Sequence, residues 1–343
     1  MKTPVRRSLL VLACALAASL LLAGCGDKAA APAPGGGPAL TKVVLQTDWY
    51  AQPEHGGFYQ ALVKGYYRAA GLDVTIEQGG PNAMPGQNIV RGNTQFSIGR
   101  SDDLILAASR GIPLVMVGAL MQRDPQALIF HPDAAIHGFK DLDGRTVMAS
   151  PGASWIGFVE RKYGVKLSIT PLDYGLSRFL ANKDLVQQSF ITNEPYYLHQ
   201  QGLDPGVLLL SDAGFSPYRV WYTSRDFIKQ HPEVVRAFTE ASIRGWSEYL
   251  NGEHREADAM IQSLNHSITP EFTTYCVAAM KKYLLVAGDP ARGEVIGQID
   301  PARIEEELKQ LTEIGILTQP MQVSDVLDDE FLPAAVRAKA RPR

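Results

Sequence analysis

Cysteine is scarce: the 343 residues hold three, at positions 14, 25 and 276. The first two lie in or at the end of an apolar leader, so Cys276 alone falls in the body of the chain. That excludes an intrachain disulfide and a zinc site built on thiolates. Cys276 sits in TTYCVAAM, an apolar helical pattern that suits a buried structural thiol better than a nucleophile. Past residue 25, no apolar run approaches the roughly 20 residues of a membrane span. There is no Lys/Arg block or basic stripe, and the net charge is −3, which argues against a nucleic-acid partner. The G-x-S-x-G, H-E-x-x-H and P-loop signatures are missing, and no internal repeat is visible. His55 has no second histidine or cysteine near it in sequence, so neither a metal nor a cofactor is expected.

The leader MKTPVRRSLLVLACALAASLLLAGC has a basic start (Lys2, Arg6, Arg7) and an apolar run from Ser8 to Ala23. This is the shape of an export signal, to be set apart from the fold. It ends in Leu22-Ala23-Gly24-Cys25, which resembles the bacterial lipoprotein box, where cleavage precedes a cysteine that carries lipid. A plain export signal with an incidental cysteine is the alternative. GDKAAAPAPGGGP follows, too poor in bulky apolar residues to fold, and reads as a tether. The expected division is a signal at 1–24 and a lipidated Cys25 with its tether at 25–40. The chain would then be exported and held by more than one acyl chain on a membrane, at the periplasmic face or cell surface.

Short apolar strands then alternate with amphipathic helices, the pattern of an α/β fold with largely parallel sheets. Residues 41–49 and 72–80 read as strands, a further short one ends the stretch 88–100, and 113–122 reads as a continuous apolar one. GGFYQALVKGYYRAAG reads as one helix with Phe58, Leu62, Tyr66 and Ala69 on a face. SDDLILAASRG reads as another, with Ser101 as its N-cap. The pattern restarts after residue 128, with strands at 146–149, 187–192, 207–214 and 218–224. After Asp226 the chain is mostly helical.

What is abundant is aromatic surface near the start. Residues 47–73 crowd Trp49, Tyr50, Phe58, Tyr59, Tyr66 and Tyr67 around His55 and a Gly-Gly pair. From Asp48-Trp49 the chain continues through EHGGFYQA (54–61), KGYYRAAGLDV (64–74), QGGP (78–81), GIPLV (111–115) and QRDPQAL (122–128). It goes on through DLDGRTV (141–147), NEP (193–195) and SRDFIKQHPEVVRAF (224–238). In this order, over about residues 42–317, the chain resembles the substrate-binding proteins of ABC importers. The branch is the one related to thiamine-pyrimidine precursor, sulfonate and nitrate binding. The resemblance implies an α/β, type II periplasmic binding protein fold, two lobes with a central ligand cleft closing by hinge motion. Lobe one would comprise 41–128 plus 222–320, lobe two 129–221, and 321–343 a C-terminal tail. It implies no catalysis, a small-molecule ligand, and an ABC permease with its ATPase as partners.

Trp49 ends the first strand, where ligands of open α/β sheets gather. Its flat face could stack on a heterocycle, or it could be core; the family pattern favours the pocket. Asp48 could accept hydrogen bonds from ring amines or cap a turn. His55 could donate to a ligand beside the Gly56-Gly57 backbone, or be satisfied locally. Tyr59 shares its face, one turn on, and joins the candidate wall, while Tyr66 and Tyr67 read as packing. Asp103, beside Asp102, follows a strand end and could face a ligand or favour the helix start. Ser150, Gly152 and Ser154 form a loop that could cradle an oxygen or simply start a helix. Asn193-Glu194 follows a strand; the carboxylate could pair with an aminopyrimidine or serve the helix dipole. Tyr218, Trp221 and Tyr222 cluster at the second crossover, and one of them could reach the cleft.

The ligand expectation is a thiamine-precursor pyrimidine of the formylaminopyrimidine type, with sulfonate, nitrate or riboflavin binding as alternatives. Arg100, Arg178 and Arg219 would serve an anion. The catalytic alternative is a thiamine pyrimidine synthase, which resembles these binding proteins in fold and uses lysine-bound pyridoxal phosphate, a consumed histidine and an iron-linked cysteine motif. This chain has no lysine between Lys64 and Lys140, where the Schiff-base lysine should fall, and no cysteine cluster. A sensor lipoprotein is the third possibility.

Overall fold

A computed structural model describes residues 39–337. The export signal, Cys14, Cys25 and nearly all of the tether lie outside the described residues. Among the described residues, ten strands build two five-stranded sheets. They are β1 (Thr41–Gln46), β2 (Leu72–Glu77), β3 (Phe96–Arg100), β4 (Leu114–Met121), β5 (Gln126–Phe130), β6 (Thr146–Ala149), β7 (Ser168–Pro171), β8 (Val186–Phe190), β9 (Gly206–Leu209) and β10 (Arg219–Ser224). The first sheet runs β2-β1-β3-β10-β4 and the second β7-β6-β8-β5-β9. The fold is the expected α/β one, with one departure. Each sheet carries one antiparallel strand: β10 opposes β3 and β4, and β5 opposes β8 and β9.

The cause lies in the connections. The chain leaves β4 and enters β5 after four residues, too few to return to the far edge of a sheet. β5 must therefore start where β4 ends and run back. β10, arriving from β9 of the second sheet, does the same. Sheet membership thus changes within residues 122–125 and again within 210–218. β5 and β7 have no counterpart among the strands expected from the sequence; β5 lies in the QRDPQAL stretch, where Asp124-Pro125 obscures its start. All eight residues of β4 are buried, as a strand covered on both faces requires.

The Gly-Gly pair has a packing role. Helix Gly56–Val63 lies against helix Pro232–Asn251, and a Cβ on Gly57 would sit 2.2 Å from the Trp246 indole. One on Gly56 would sit 2.1 Å from the Tyr249 ring. The glycines thus admit two aromatic rings of the late helix rather than a ligand. The helix does not continue through Tyr66 as expected: Gly65 is left-handed (φ 69°), and a separate turn covers Tyr66–Ala69. Ser101 is the first residue of its helix (Ser101–Ser109), not its cap. Its Oγ donates to Glu307 and accepts the Tyr218 N–H at 2.9 Å. Residues after 320 also pack: Leu327 bridges Met116, and Val326, Phe331 and Leu332 are buried. Cys276 is a buried free thiol, pushed well above its ordinary value by burial and by the Glu54 carboxylate.

Gly57→Ala is therefore expected to destabilise the protein by about 1–3 kcal/mol through overpacking against Trp246. Urea denaturation would read this as a lower midpoint with unchanged slope. An unchanged midpoint would mean that the two helices do not approach as described.

Candidate functional site

The edges at which β1, β3, β6, β7 and β8 end, and at which β5 and β10 begin, enclose a polar cavity of about 380 Å³. The first sheet contributes Asp48, Trp49 and Gln52 after β1, Arg100 at the end of β3, Asp103 just beyond, and Arg219 at the start of β10. Opposite stand Gln126 of β5, Ser150 after β6, Leu172 and Tyr174 after β7, and Gln188, Ser189 and Phe190 of β8. Asn193 and Glu194 follow. This is the carboxyl edge at which open α/β sheets meet their ligands.

The loop carrying Asp48 and Trp49 is fixed by hydrogen bonds. The Gly79 N–H donates to the Trp49 carbonyl at 3.0 Å, the Thr47 hydroxyl to the same oxygen at 2.6 Å, and the Ala51 N–H to Gln78 Oε1 at 2.8 Å. The QGGP turn thus holds the indole in place. Trp49 stands 5.2 Å, centroid to centroid, from Tyr174 of the opposite sheet at an interplanar angle of 39°. Tyr174 is half exposed and holds φ 60°, an uncommon backbone for a non-glycine residue.

Arg219 pairs with Asp48, and His55 Nε2 lies 3.3 Å from the other Asp48 oxygen. Burial would raise the Asp48 carboxyl, but Arg219 and His55 outweigh it and hold it at about 2. Arg100 binds Asp102 through Nε, at 2.9 Å, and through a terminal nitrogen, and it lies 3.5 Å from Asp103. On the other side the Gln188 amide donates to Gln126 Oε1 at 3.0 Å, and the Gln126 amide to Asp124 at 2.9 Å. The Ser150 N–H donates to Gln188 Oε1 at 3.1 Å. Glu194 starts helix Glu194–Gln200 and accepts the Phe190 N–H at 2.7 Å. Enclosed between the two sheet edges, its carboxyl is pushed up to about 7 by burial, against the pull of the backbone N–H groups. That helix is braced from the other sheet's side: Tyr196 packs on Phe272 and Tyr275, and the Tyr275 hydroxyl donates to the Ile191 carbonyl at 2.9 Å.

Of the residues singled out from sequence, Asp48, Trp49, Asp103, Ser150, Asn193 and Glu194 line this cavity. The other six do not. His55 is buried behind it and touches Asp48 instead of the open space. Tyr59 is fully buried with no partner for its hydroxyl. Trp221 is core, its indole N–H donating to Thr239 at 3.3 Å. Tyr218 is buried beneath the Arg303 guanidinium, 3.8 Å away, and its hydroxyl accepts the Asp300 N–H. Ser154 is buried in its helix, and Gly152 is an exposed turn residue at φ 78°. Arg100 and Arg219 do line the cavity, while Arg178 is half exposed outside it. Gln52, Gln126, Leu172, Tyr174, Gln188, Ser189 and Phe190 were missed. One signal was available: Gln187-Gln188-Ser189 places three successive polar residues inside a buried central strand.

Two mixed sheets whose carboxyl edges face each other across a polar cavity define a periplasmic binding protein fold. The chain belongs to the NMT1/THI5-like family, whose profile matches residues 52–254. It is 26% identical over 319 residues to the riboflavin-binding protein RibY of Chloroflexus aurantiacus, covering 89% of this chain and 90% of that one. It is 27% identical over 266 residues to the formylaminopyrimidine-binding protein of Halalkalibacterium halodurans, covering 74% and 79%. Some relatives are named as 4-amino-5-hydroxymethyl-2-methylpyrimidine phosphate synthases, one from Candida albicans being 22% identical over 69% of this chain and 75% of its own length. Among solved structures, the alkanesulfonate-binding protein SsuA of Xanthomonas axonopodis pv. citri superposes with a TM-score of 0.62 at 13% identity. The match covers 89% of this chain and all of that one.

Glu194 gives the cavity a pH signature. Its folded value, about 7, lies above the ordinary 4.5, so between these pH values the folded state binds more protons than the unfolded one. Stability is therefore expected to fall as pH rises through that interval. Glu194→Gln, which keeps an acceptor for Phe190, should remove this slope and be more stable than the parent by about 1–3 kcal/mol at pH 8. Parallel melting curves for the two proteins from pH 4 to 8 would contradict it.

Proposed function

We propose that this chain is the solute-capturing component of an ABC importer. It binds a small flat nitrogen heterocycle of the thiamine-pyrimidine-precursor type and presents it to a permease and its ATPase. The two sheets act as lobes, joined at 122–125 and 210–218, that close on the ligand by hinge motion. The observation behind this reading is the facing pair Trp49 and Tyr174 with the Glu194 carboxyl in the same cavity. At a centroid separation of 5.2 Å the two rings touch each other, so a planar solute enters by parting them to about 7 Å, twice the ordinary contact distance. The carboxyl offers a two-point contact to a ring nitrogen and its neighbouring amine.

Binding without catalysis fits the lining better than the synthase alternative does. No lysine and no cysteine is among the described residues that line the cavity, so no side-chain amine is placed there to form a Schiff base. Export and lipid attachment at Cys25 complete the proposal. Among the described residues no helix is long and apolar enough to cross a membrane. Palmitate labelling of the expressed chain, lost in Cys25→Ser, is the expected signature of that anchor.

Formylaminopyrimidine is expected to raise the melting temperature of the purified protein, and Trp49→Ala to weaken binding about tenfold or more through the lost stacking face. Riboflavin belongs in the same assay because it too offers a planar ring. A clear shift with taurine and none with any pyrimidine or flavin would overturn the ligand assignment.

A further inference from the structure

Arg100 and Arg219 stand directly opposite each other in the β3–β10 ladder, at the cavity floor. Side chains so placed share one face of the sheet, with Cβ atoms about 5 Å apart. Two neighbouring guanidiniums in a cleft would ordinarily make a strong site for a sulfonate, phosphate or nitrate. Here both are already engaged. Asp48 pairs with Arg219, and His55 steadies the other Asp48 oxygen. Arg219 is also held 5.4 Å from the Phe190 ring centroid. Asp102, wholly buried, takes Arg100 through two nitrogens, and Asp103 lies 3.5 Å from it. Asp124 adds its field to Arg100 and Asp103 from the buried base of β5. Burial alone would loosen the Arg100 proton, yet these carboxylates hold it more firmly than usual. Four aspartates therefore face two arginines, before Glu194 is counted.

We infer that the cleft is a charge filter: Asp48 and Asp102 sequester its two arginines, so it takes uncharged or cationic rings and turns away phosphorylated, sulfonated or other anionic solutes. This refines the heterocycle reading above and rests on the same site, but its anion arm is independent of which ring binds. Asp48 is the specificity-determining residue, because among the described residues it is the one that holds Arg219 in an ion pair. Removing its charge turns Arg219 into an open hydrogen-bond donor for an anion, facing the cavity.

The test titrates the purified protein, by thermal shift and calorimetry, with nitrate, inorganic phosphate and methanesulfonate, and with two matched pairs. The pairs are 4-amino-5-hydroxymethyl-2-methylpyrimidine against its phosphate ester, and riboflavin against its 5′-phosphate. The parent protein should show no saturable response to the three anions, and any pair that binds should favour its uncharged member about tenfold or more. Asp48→Asn should acquire a saturable anion response and reduce or reverse that preference. Asp103→Asn, at an exposed carboxylate whose loss the fold tolerates more readily, should move the same way by less. The inference is overturned if the parent binds an anion saturably or a phosphate ester as tightly as its alcohol. It is overturned equally if both variants, folded by circular dichroism, remain indifferent to anions. If no ring binds at all, the heterocycle reading fails while the anion titrations still decide the filter.

Discussion

The chain passes between its two sheets at one edge of each, and the rest of the arrangement depends on that constraint. A strand that starts where its predecessor in the other sheet ended has to run antiparallel to its new neighbours. β5 and β10 are those strands, and their first residues are Gln126 and Arg219. Both therefore stand at the edge where the parallel strands finish, beside Arg100, Gln188 and Phe190. Backbone topology thus sets polar and charged side chains from two distant stretches around one cavity. The same two passages are where the proposed hinge would bend.

Each side then meets the burden of its polar groups differently. The first sheet answers with ion pairs: Asp48 with Arg219, and Asp102 with Arg100. The second answers with a relay of neutral amides from Ser150 through Gln188 and Gln126 to Asp124. Both leave few loose donors, as burial requires. Glu194 differs, since its carboxyl meets backbone N–H groups and no positive charge pairs with it, among the described residues, and burial raises it. A carboxyl that can switch between donor and acceptor near neutral pH suits a ring carrying both a nitrogen acceptor and an amine donor.

Much of this was legible in the sequence. Strands β1, β2, β3, β4, β6, β8, β9 and β10 announce themselves by short apolar runs with turn residues between them. The position of Trp49 at a strand end pointed to the cavity; that the turn after β2 supports it shows only in the fold. Less legible was whatever depends on helix packing. His55, Tyr59 and the Gly56-Gly57 pair lie on one turn with Trp49 close by, and local spacing cannot tell a ligand wall from a bed for Trp246 and Tyr249. Trp221 and Tyr218 fail for the same reason: alternation along β10 says that one of two faces is buried, not which layer covers it. Tyr174 lies in a short loop whose place in the cleft is fixed by β7, a strand too short and too exposed to stand out.

The account rests on a flat solute without anionic groups that stacks on Trp49 and Tyr174. Mass spectrometry of the small molecule released when the protein is purified from its native host and denatured is the most direct test. The expected finding is a nitrogen heterocycle of low mass with ring absorbance and no phosphate or sulfonate group. Recovery of a sulfonate, a phosphate ester or a non-aromatic solute in stoichiometric amount would contradict it.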